Sequence, residues 1–206
     1  MTHSRWALSI MGAMLLASPV LPAYAVTFTP GNNPQADEQN VLYSASQTGT
    51  SITGLTNQTN TSVLFTSTET LQTTALGQAN LTGTDGLINN VTIAVPGRTY
   101  GDLILNPLVG APGQQSVPAT VSVLASSGTA TFNYNLTQGN NFLTILAASG
   151  ETITSTTITS SGGFADLRQV RISGLSGGPA VPEPASVLLL ATGVGGLLLL
   201  RRHLSR

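Results

Sequence analysis

Two runs of alternating apolar and polar side chains, joined by Ser-Ser-Gly at 126–128, constrain the fold of this chain more than any other feature. A period of two places the apolar side chains of each run on one face of a β-strand. The short connection between the runs predicts an antiparallel hairpin. The apolar positions are Val121, Val123 and Ala125 in the first run, and Ala130, Phe132, Tyr134 and Leu136 in the second.

Further strand-like runs recur along the chain, separated by clusters of Gly, Pro, Asn and Ser. They lie at 26–29, 40–46, 62–67, 90–95, 141–148, 152–159 and 167–173. The run at 141–148 is apolar on both faces and predicts a buried central strand. We expect exposed connections at 31–39 and 106–118 and a turn at 160–163. No part of 26–173 has a helical period, so the sequence predicts an all-β ectodomain, a single jelly-roll-like β-sandwich.

The absence of reactive residue types limits the chemistry open to this domain. Cysteine is absent from the whole sequence, and the two histidines, His3 and His203, lie near its ends. A Ser-His-Asp triad, a Cys-His pair and the usual zinc sites all need one of these residue types. The sequence therefore predicts a domain that is not an enzyme and that holds no metal and no cofactor.

The net charge of the predicted domain limits the classes of molecule that it is expected to bind. Residues 26–178 hold three arginines, seven acidic residues and no lysine, so their formal charge is −4. Domains that bind nucleic acid carry a basic patch or stripe. Nucleic acid is therefore excluded as an expected partner.

Residues 1–25 have the three parts of a secretory signal peptide. Arg5 precedes an apolar core at 6–17, and Ala23 and Ala25 form a small-residue cleavage site. We expect cleavage after Ala25, which makes Val26 the first residue of the exported chain.

The C-terminal residues have the pattern of a membrane-spanning helix that is preceded by an extended segment. Pro182 and Pro184 keep the backbone around them extended, so a helix begins only after them. The uncharged run at 185–200 is about 24 Å long as a helix, which spans a bilayer with slight local thinning. Arg201 and Arg202 then place the C-terminus in the cytoplasm.

The sequence Val-Pro-Glu-Pro-Ala-Ser at 181–186, with the apolar run and the arginine pair after it, resembles the sorting signal of PEP-CTERM proteins of Gram-negative bacteria. The resemblance implies that an exosortase, a processing protease of the membrane, recognises Pro182, Glu183 and Pro184 and cleaves near them. It implies a C-terminal helix in the inner membrane before processing and a cell-surface or extracellular location afterwards. Because such processing accompanies biofilm-matrix production in that family, exopolysaccharide is an expected partner.

These observations divide the chain into four parts. A signal peptide occupies 1–25, the β-sandwich 26–173, a short flexible linker 174–180 and the sorting signal 181–206, with a basic tail at 201–206. The flexible linker follows from the glycine content of its residues.

Several side chains of the domain admit both a functional and a structural interpretation. Asp85 and Asp102 carry oxygens that suit calcium, but each adjoins a glycine, and a turn is the favoured interpretation. Tyr43 and Tyr100 can stack on sugars or pack in the core, and packing is favoured.

The remaining charged residues give little sign of catalysis. The seven carboxylates are scattered, so a glycosidase pair among them is disfavoured. Arg168 and Asp166 are expected to form a local surface ion pair of small energetic value.

The sequence favours a non-enzymatic surface or extracellular-matrix protein that is delivered by its C-terminal signal. Two alternatives stay open. One is a carbohydrate-binding or adhesive module anchored at the envelope, and the other, less favoured, is a polysaccharide-acting enzyme that uses carboxylates.

Overall fold

A computed structural model describes residues 26–73, 77–78, 80–110 and 115–177, and this part of the chain is all-β. The all-β class is therefore confirmed. Among the described residues there is no helix long and apolar enough to cross a membrane. The strands are β1 Val26–Pro30, β2 Gln39–Tyr43, β3 Thr48–Thr56, β4 Ser62–Thr73, β5 Gly77–Gln78, β6 Asn80–Gly83, β7 Ile88–Ala94, β8 Asp102–Leu108, β9 Ser116–Ala125, β10 Gly128–Thr137, β11 Leu143–Ala147, β12 Ile153–Phe164 and β13 Asp166–Ser173.

The strands form one hydrogen-bonded path in the order β1-β11-β8-β13-β2-β3-β4-β7-β12-β9-β10. Strand β5 pairs with β2, and β6 pairs with β13 and β4. Contacts between the two end strands show that the path folds back on itself. The rings of Phe28 in β1 and Phe132 in β10 stack with centroids 5.2 Å apart. Strand β8 also contacts β10 and β12, which lie near the other end of the path. One apolar core fills the interior of this folded sheet.

The hairpin predicted from the alternating residues is confirmed. Strands β9 and β10 are antiparallel, with Ala125 opposite Gly128 and Val121 opposite Phe132. Along β10 the apolar positions are buried or half-buried, whereas Thr129, Thr131 and the other polar positions are exposed. The two-residue period of the sequence therefore orients both strands with their apolar face inward.

Strand β8 is buried on both of its faces. Leu103 and Leu105 belong to the apolar core, whereas Ile104 is equally buried but lies outside that core. The segment that links β1 to β2 covers this second face. In it, the backbone of Asn33 donates to the hydroxyl of Thr144, the residue opposite Ile104 in β11. The domain thus has a second, more polar buried layer beneath residues 31–38.

Three predicted connections are corrected by the structure. The segment 31–39 is not wholly exposed, because the Glu38 side chain is buried and Gln39 begins β2. The connection at 106–118 is shorter, since 106–108 belong to β8 and 116–118 to β9. The prediction of a turn at 160–163 is wrong, because β12 continues to Phe164. A register shift between Thr159 and Phe164 accommodates these residues within the strand.

The strand predicted at 141–148 is confirmed as β11, although it is shorter, at Leu143–Ala147. It pairs with β1 and β8 on its two edges but is second from the end of the path, not at its centre. Of the predicted linker 174–180, residues 174–177 are described. Ser176 and Thr99 exchange two backbone hydrogen bonds, of 2.9 and 3.0 Å. These contacts connect the end of the described chain to the segment before β8.

Candidate functional site

The outer face of four neighbouring strands, β7, β12, β9 and β10, carries uncharged polar side chains. Residues that lie opposite one another in paired strands point to the same face of a sheet. The register therefore defines two rows across these strands, which we call the polar face. The rows are Asn90, Thr159, Thr120 and Asn133, and Thr92, Thr157, Ser122 and Thr131.

A groove of 510 Å³ opens on the polar face, beside the irregular end of β12. Its lining consists of amide and hydroxyl side chains and one proline. The lining residues are Asn89, Asn90, Pro118, Thr120, Thr159, Ser160 and Ser161. The groove holds neither a charged side chain nor an aromatic ring, so its chemistry is that of neutral hydrogen bonding.

One wall of the groove is fixed by Glu69 of β4. Its Oε1 accepts hydrogen bonds from the backbone N–H groups of Asn89 at 2.5 Å and Asn90 at 3.1 Å. Its Oε2 accepts from the Asn89 side chain at 3.1 Å. The Asn90 amide in turn donates to the hydroxyl of Thr68 at 2.5 Å. This network holds the β7 wall in place.

The opposite wall is fixed by bonds between β9, β10 and β12. Ser160 Oγ donates to the carbonyl of Pro118 at 2.9 Å, and Thr120 Oγ1 donates to Asn133 Oδ1 at 3.1 Å. A hydroxyl that donates one hydrogen bond still has lone pairs with which to accept others. The groove therefore presents hydrogen-bond acceptors and donors that the protein holds in place.

A different group of polar residues lies buried where β2, β13 and β8 meet. Ser173 is opposite Asp102, and the pairing of Gln39 with Ile172 brings Glu38 next to Ser173. Ser173 Oγ donates to Asp102 Oδ1, and Arg171 Nη1 contacts Glu38 Oε2 at 3.3 Å. We call Glu38, Asp102, Ser173 and Arg171, with Asn32 beside them, the buried carboxylate cluster.

Burial dominates the electrostatics of this cluster. Burial and, after it, the negative charge of Glu38 raise the pKa of Asp102 to about 7, although Ser173 and Arg171 act in the opposite direction. Burial also raises the pKa of Glu38, an effect that Arg171 opposes. Strands β2 and β8 pair with opposite edges of β13, so Glu38 and Asp102 approach Ser173 from its two sides.

The structure separates the two acids that the sequence suggested as calcium ligands. Asp85 lies in the turn between β6 and β7, where its Oδ1 accepts from the backbone of Leu87 at 3.2 Å. Asp102 lies at the start of β8, opposite Ser173, whereas β6 pairs with the other end of β13. The turn interpretation is therefore confirmed for Asp85 and wrong for Asp102, which is a buried strand residue.

The two tyrosines considered as sugar platforms are core residues. Tyr43 is 2% exposed and Tyr100 is fully buried, as the packing interpretation predicted. Arg168 and Asp166 form the expected ion pair, at 2.7 Å. The pair is less superficial than expected, because the Asp166 side chain is only 10% exposed, and burial raises its pKa despite Arg168.

Most residues of the predicted export and sorting signals lie outside the described residues. The first group comprises Ala23 and Ala25, which precede Val26, the first residue of β1. The second comprises Pro182, Glu183 and Pro184, the helix at 185–200, and Arg201 and Arg202. The predictions made for them stay predictions.

Sequence reasoning missed both the groove and the buried carboxylate cluster. The only signal for the groove was the Thr and Ser content of 152–161, which is common to much of the chain. Glu38 and Arg171 are 133 residues apart, and no local pattern connects them. Strand pairing between β2 and β13 brings them together.

Comparison with known proteins adds little to this description. A scan against protein-family models and a search of the curated proteins found no match. Among solved structures, a mutant of a family 29 carbohydrate-binding module aligns over 73% of this chain and 89% of that chain, at 11% sequence identity and a TM-score of 0.21. A likeness at this TM-score carries no argument about fold or function.

Proposed function

We propose that this chain is an exported, non-enzymatic surface or extracellular-matrix protein whose polar face binds neutral polysaccharide. The observation that carries the proposal is the groove of 510 Å³, which is lined by amides, hydroxyls and one proline and contains no charge. Sugars present many hydroxyl groups, each of which both donates and accepts hydrogen bonds. The groove offers the matching groups on both of its walls.

The distribution of charge favours a neutral polymer over an acidic one. Residues 26–178 have a formal charge of −4 and only three arginines. Two of these, Arg168 and Arg171, already form ion pairs with Asp166 and Glu38. An acidic polysaccharide would meet repulsion without a basic patch to offset it.

The shape of the polar face suits a chain-like ligand. Its two rows cross four strands at a spacing of about 4.8 Å per strand, so a polymer can make similar contacts at successive strands. The exposed hydroxyl of Thr159 lies near the centre of one row, between Thr120 and Asn90. A ligand held by many weak hydrogen bonds gains affinity through repetition.

The positions of the carboxylates support a non-enzymatic role over the alternative of a polysaccharide-acting enzyme. A glycosidase needs two carboxyl groups that flank a bound sugar. Glu38 and Asp102 lie close together, but they are buried and already contact Arg171 and Ser173. Neither lines the groove.

Affinity electrophoresis of the full chain, purified in detergent, tests the binding proposal. We expect a soluble neutral glucan in the gel to retard the protein, and alginate at the same concentration to leave its mobility unchanged. Thr159→Glu places a charge in the groove and should abolish the retardation. Thr27→Glu, at an exposed position of β1, is the matched control and should retain it. Loss of retardation in both variants, or in neither, would contradict the role of the groove.

The same proposal assigns delivery of the domain to the C-terminal signal. Pro182, Glu183 and Pro184 would be recognised by an exosortase, with the apolar run at 185–200 in the inner membrane. The extended backbone that the prolines impose is the form that a protease can reach. Replacement of these three residues by alanine in the native host should leave the protein at full length in the membrane fraction. If the wild type and this variant both remain at full length in the membrane fraction, the tail is only an anchor. Unchanged cleavage of the variant would show that these three residues are not what the protease recognises.

We also propose that the folded sheet is a jelly-roll-like β-sandwich. Neighbours in the strand path that are distant in sequence, such as β1 with β11 and β2 with β13, support this topology. An experimental structure with sequential, up-and-down strand neighbours would contradict it.

A further inference from the structure

The buried carboxylate cluster contains two oxygens without hydrogen-bond partners. They are Glu38 Oε1 and Asp102 Oδ2, and each is almost inaccessible to solvent. The Glu38 side chain is 8% exposed and Asp102 is 2% exposed. A buried carboxylate oxygen without a partner is costly, because it has lost its hydration and gained nothing in exchange.

The protein supplies each of these carboxylates with a partner on its other oxygen only. Arg171 contacts Oε2 of Glu38, and Ser173 donates to Oδ1 of Asp102. When both carboxylates are ionised, the single guanidinium leaves a net charge of −1 within the cluster. The unpartnered oxygens therefore lie in a region of uncompensated negative charge.

Asn32 provides a further oxygen at the edge of the cluster. Its Oδ1 accepts a hydrogen bond from Arg171 Nη2 and keeps a second lone pair. Asn32 itself is exposed, so water has access to this side of the cluster. The donors available here are carboxylate, amide and water oxygens, which are the ligands of hard divalent cations.

We propose that Glu38 Oε1, Asp102 Oδ2 and Asn32 Oδ1 bind a calcium ion that joins the segment 31–38 to strand β8. Calcium fits better than magnesium, because it tolerates irregular geometry and accepts six to eight oxygens, whereas magnesium demands a near-octahedral set. This site differs from the pair of Asp85 and Asp102 considered from the sequence, since Asp85 lies at the opposite end of β13. It is also independent of polysaccharide binding, because none of its residues lines the groove.

The site explains the mutual position of its two acids. Glu38 and Asp102 approach Ser173 from its two sides, and two carboxylates in such a position repel one another when both are ionised. A divalent cation between the two oxygens replaces this repulsion with attraction. The ion then holds a segment that otherwise reaches the sheet through a few bonds, such as that from Asn33 to Thr144.

Thermal unfolding of the full chain in detergent tests the proposal. The protein is first treated with EGTA and then measured in EGTA, in about 10 mM calcium chloride and in about 10 mM magnesium chloride. This concentration is about ten times or more the dissociation constants usual for extracellular calcium sites. We expect calcium to raise Tm by about 3–10 °C, and magnesium to raise it by much less. An unchanged Tm in calcium, or an equal shift with magnesium, would overturn the assignment.

Substitutions test whether the calcium-dependent change in Tm arises at the buried carboxylate cluster. Asp102→Asn and Glu38→Gln keep the shape of each side chain and should remove the calcium-dependent shift. Asp85→Asn, in the turn before β7, is the matched control and should retain it. A shift that persists in Asp102→Asn would overturn the site. If that variant does not fold, calorimetric titration of the EGTA-treated wild type with calcium decides the matter, because absence of binding would overturn the proposal.

Discussion

Tyr100 and Thr156 share a hydrogen bond of 2.9 Å between their hydroxyl groups inside the core. Both residues are fully buried, and Tyr100 Oη also donates to the carbonyl of Ile93 at 3.4 Å. Tyr100→Phe leaves the Thr156 hydroxyl without its partner, so we expect the free energy of unfolding to fall by about 1–3 kcal/mol. Urea denaturation measures this change. Thr156→Val completes a double-mutant cycle, and strictly additive effects would contradict the coupling.

The Glu69 carboxylate supports the β7 wall of the groove. Glu69→Ala leaves the backbone N–H groups of Asn89 and Asn90 without their acceptor. We expect a loss of about 1–2 kcal/mol in unfolding free energy, together with weaker retardation in the neutral glucan gel. Glu69→Gln keeps one acceptor oxygen and should show a smaller loss of both. Equal behaviour of the two variants would argue against a positioning role for the carboxylate.

Gly83 lies where β6 turns towards β7, and its backbone closely approaches Leu87. A Cβ atom at Gly83 would lie 1.8 Å from the Leu87 carbonyl oxygen, so the turn must move to admit a side chain. We expect Gly83→Ala to lower the unfolding free energy by about 2–4 kcal/mol. Gly101→Ala, whose nearest contact is an ordinary 3.4 Å, is the control and should cost less than about 1 kcal/mol. Similar losses in both variants would contradict the geometry of this turn.

Arg168 stabilises the buried Asp166 only when that acid is ionised. Burial raises the pKa of Asp166, so the folded state binds its proton more readily than the unfolded state does. The stability from this group is therefore present at low pH and is lost as pH rises through the folded pKa. Arg168→Ala raises that pKa further, so it should destabilise the protein more at pH 7 than at pH 4. Arg98→Ala serves as the control, and equal losses at both pH values for Arg168→Ala would contradict the prediction.

The sequence predicted those parts of the fold whose pattern is local. The hairpin of β9 and β10 follows from a two-residue period that a single buried face imposes on both strands. The sequence of β8 shows no two-residue period, because Leu103 and Ile104 are buried on opposite faces of the strand. Asn106 is also of a type common in loops. Asn106 is nevertheless buried, since its Oδ1 accepts from the backbone of Asn141 at 2.8 Å.

The candidate sites were harder to predict than the fold, because each depends on pairing between distant segments. The groove combines side chains of β7, β9 and β12, each of which resembles the rest of a Thr- and Ser-rich chain. The buried carboxylate cluster depends on the pairing of β2 with β13, which brings Glu38 to Arg171 and Ser173. A sequence alone gives the alternation of a strand but not its neighbours in the sheet.

The intact mass of the protein recovered from the extracellular material of the native host tests its proposed export and sorting. We predict a mature chain that begins at Val26 and ends within residues 181–184, recovered from the extracellular material. A protein that keeps Arg206 and is found only in the membrane fraction would contradict delivery by the C-terminal signal.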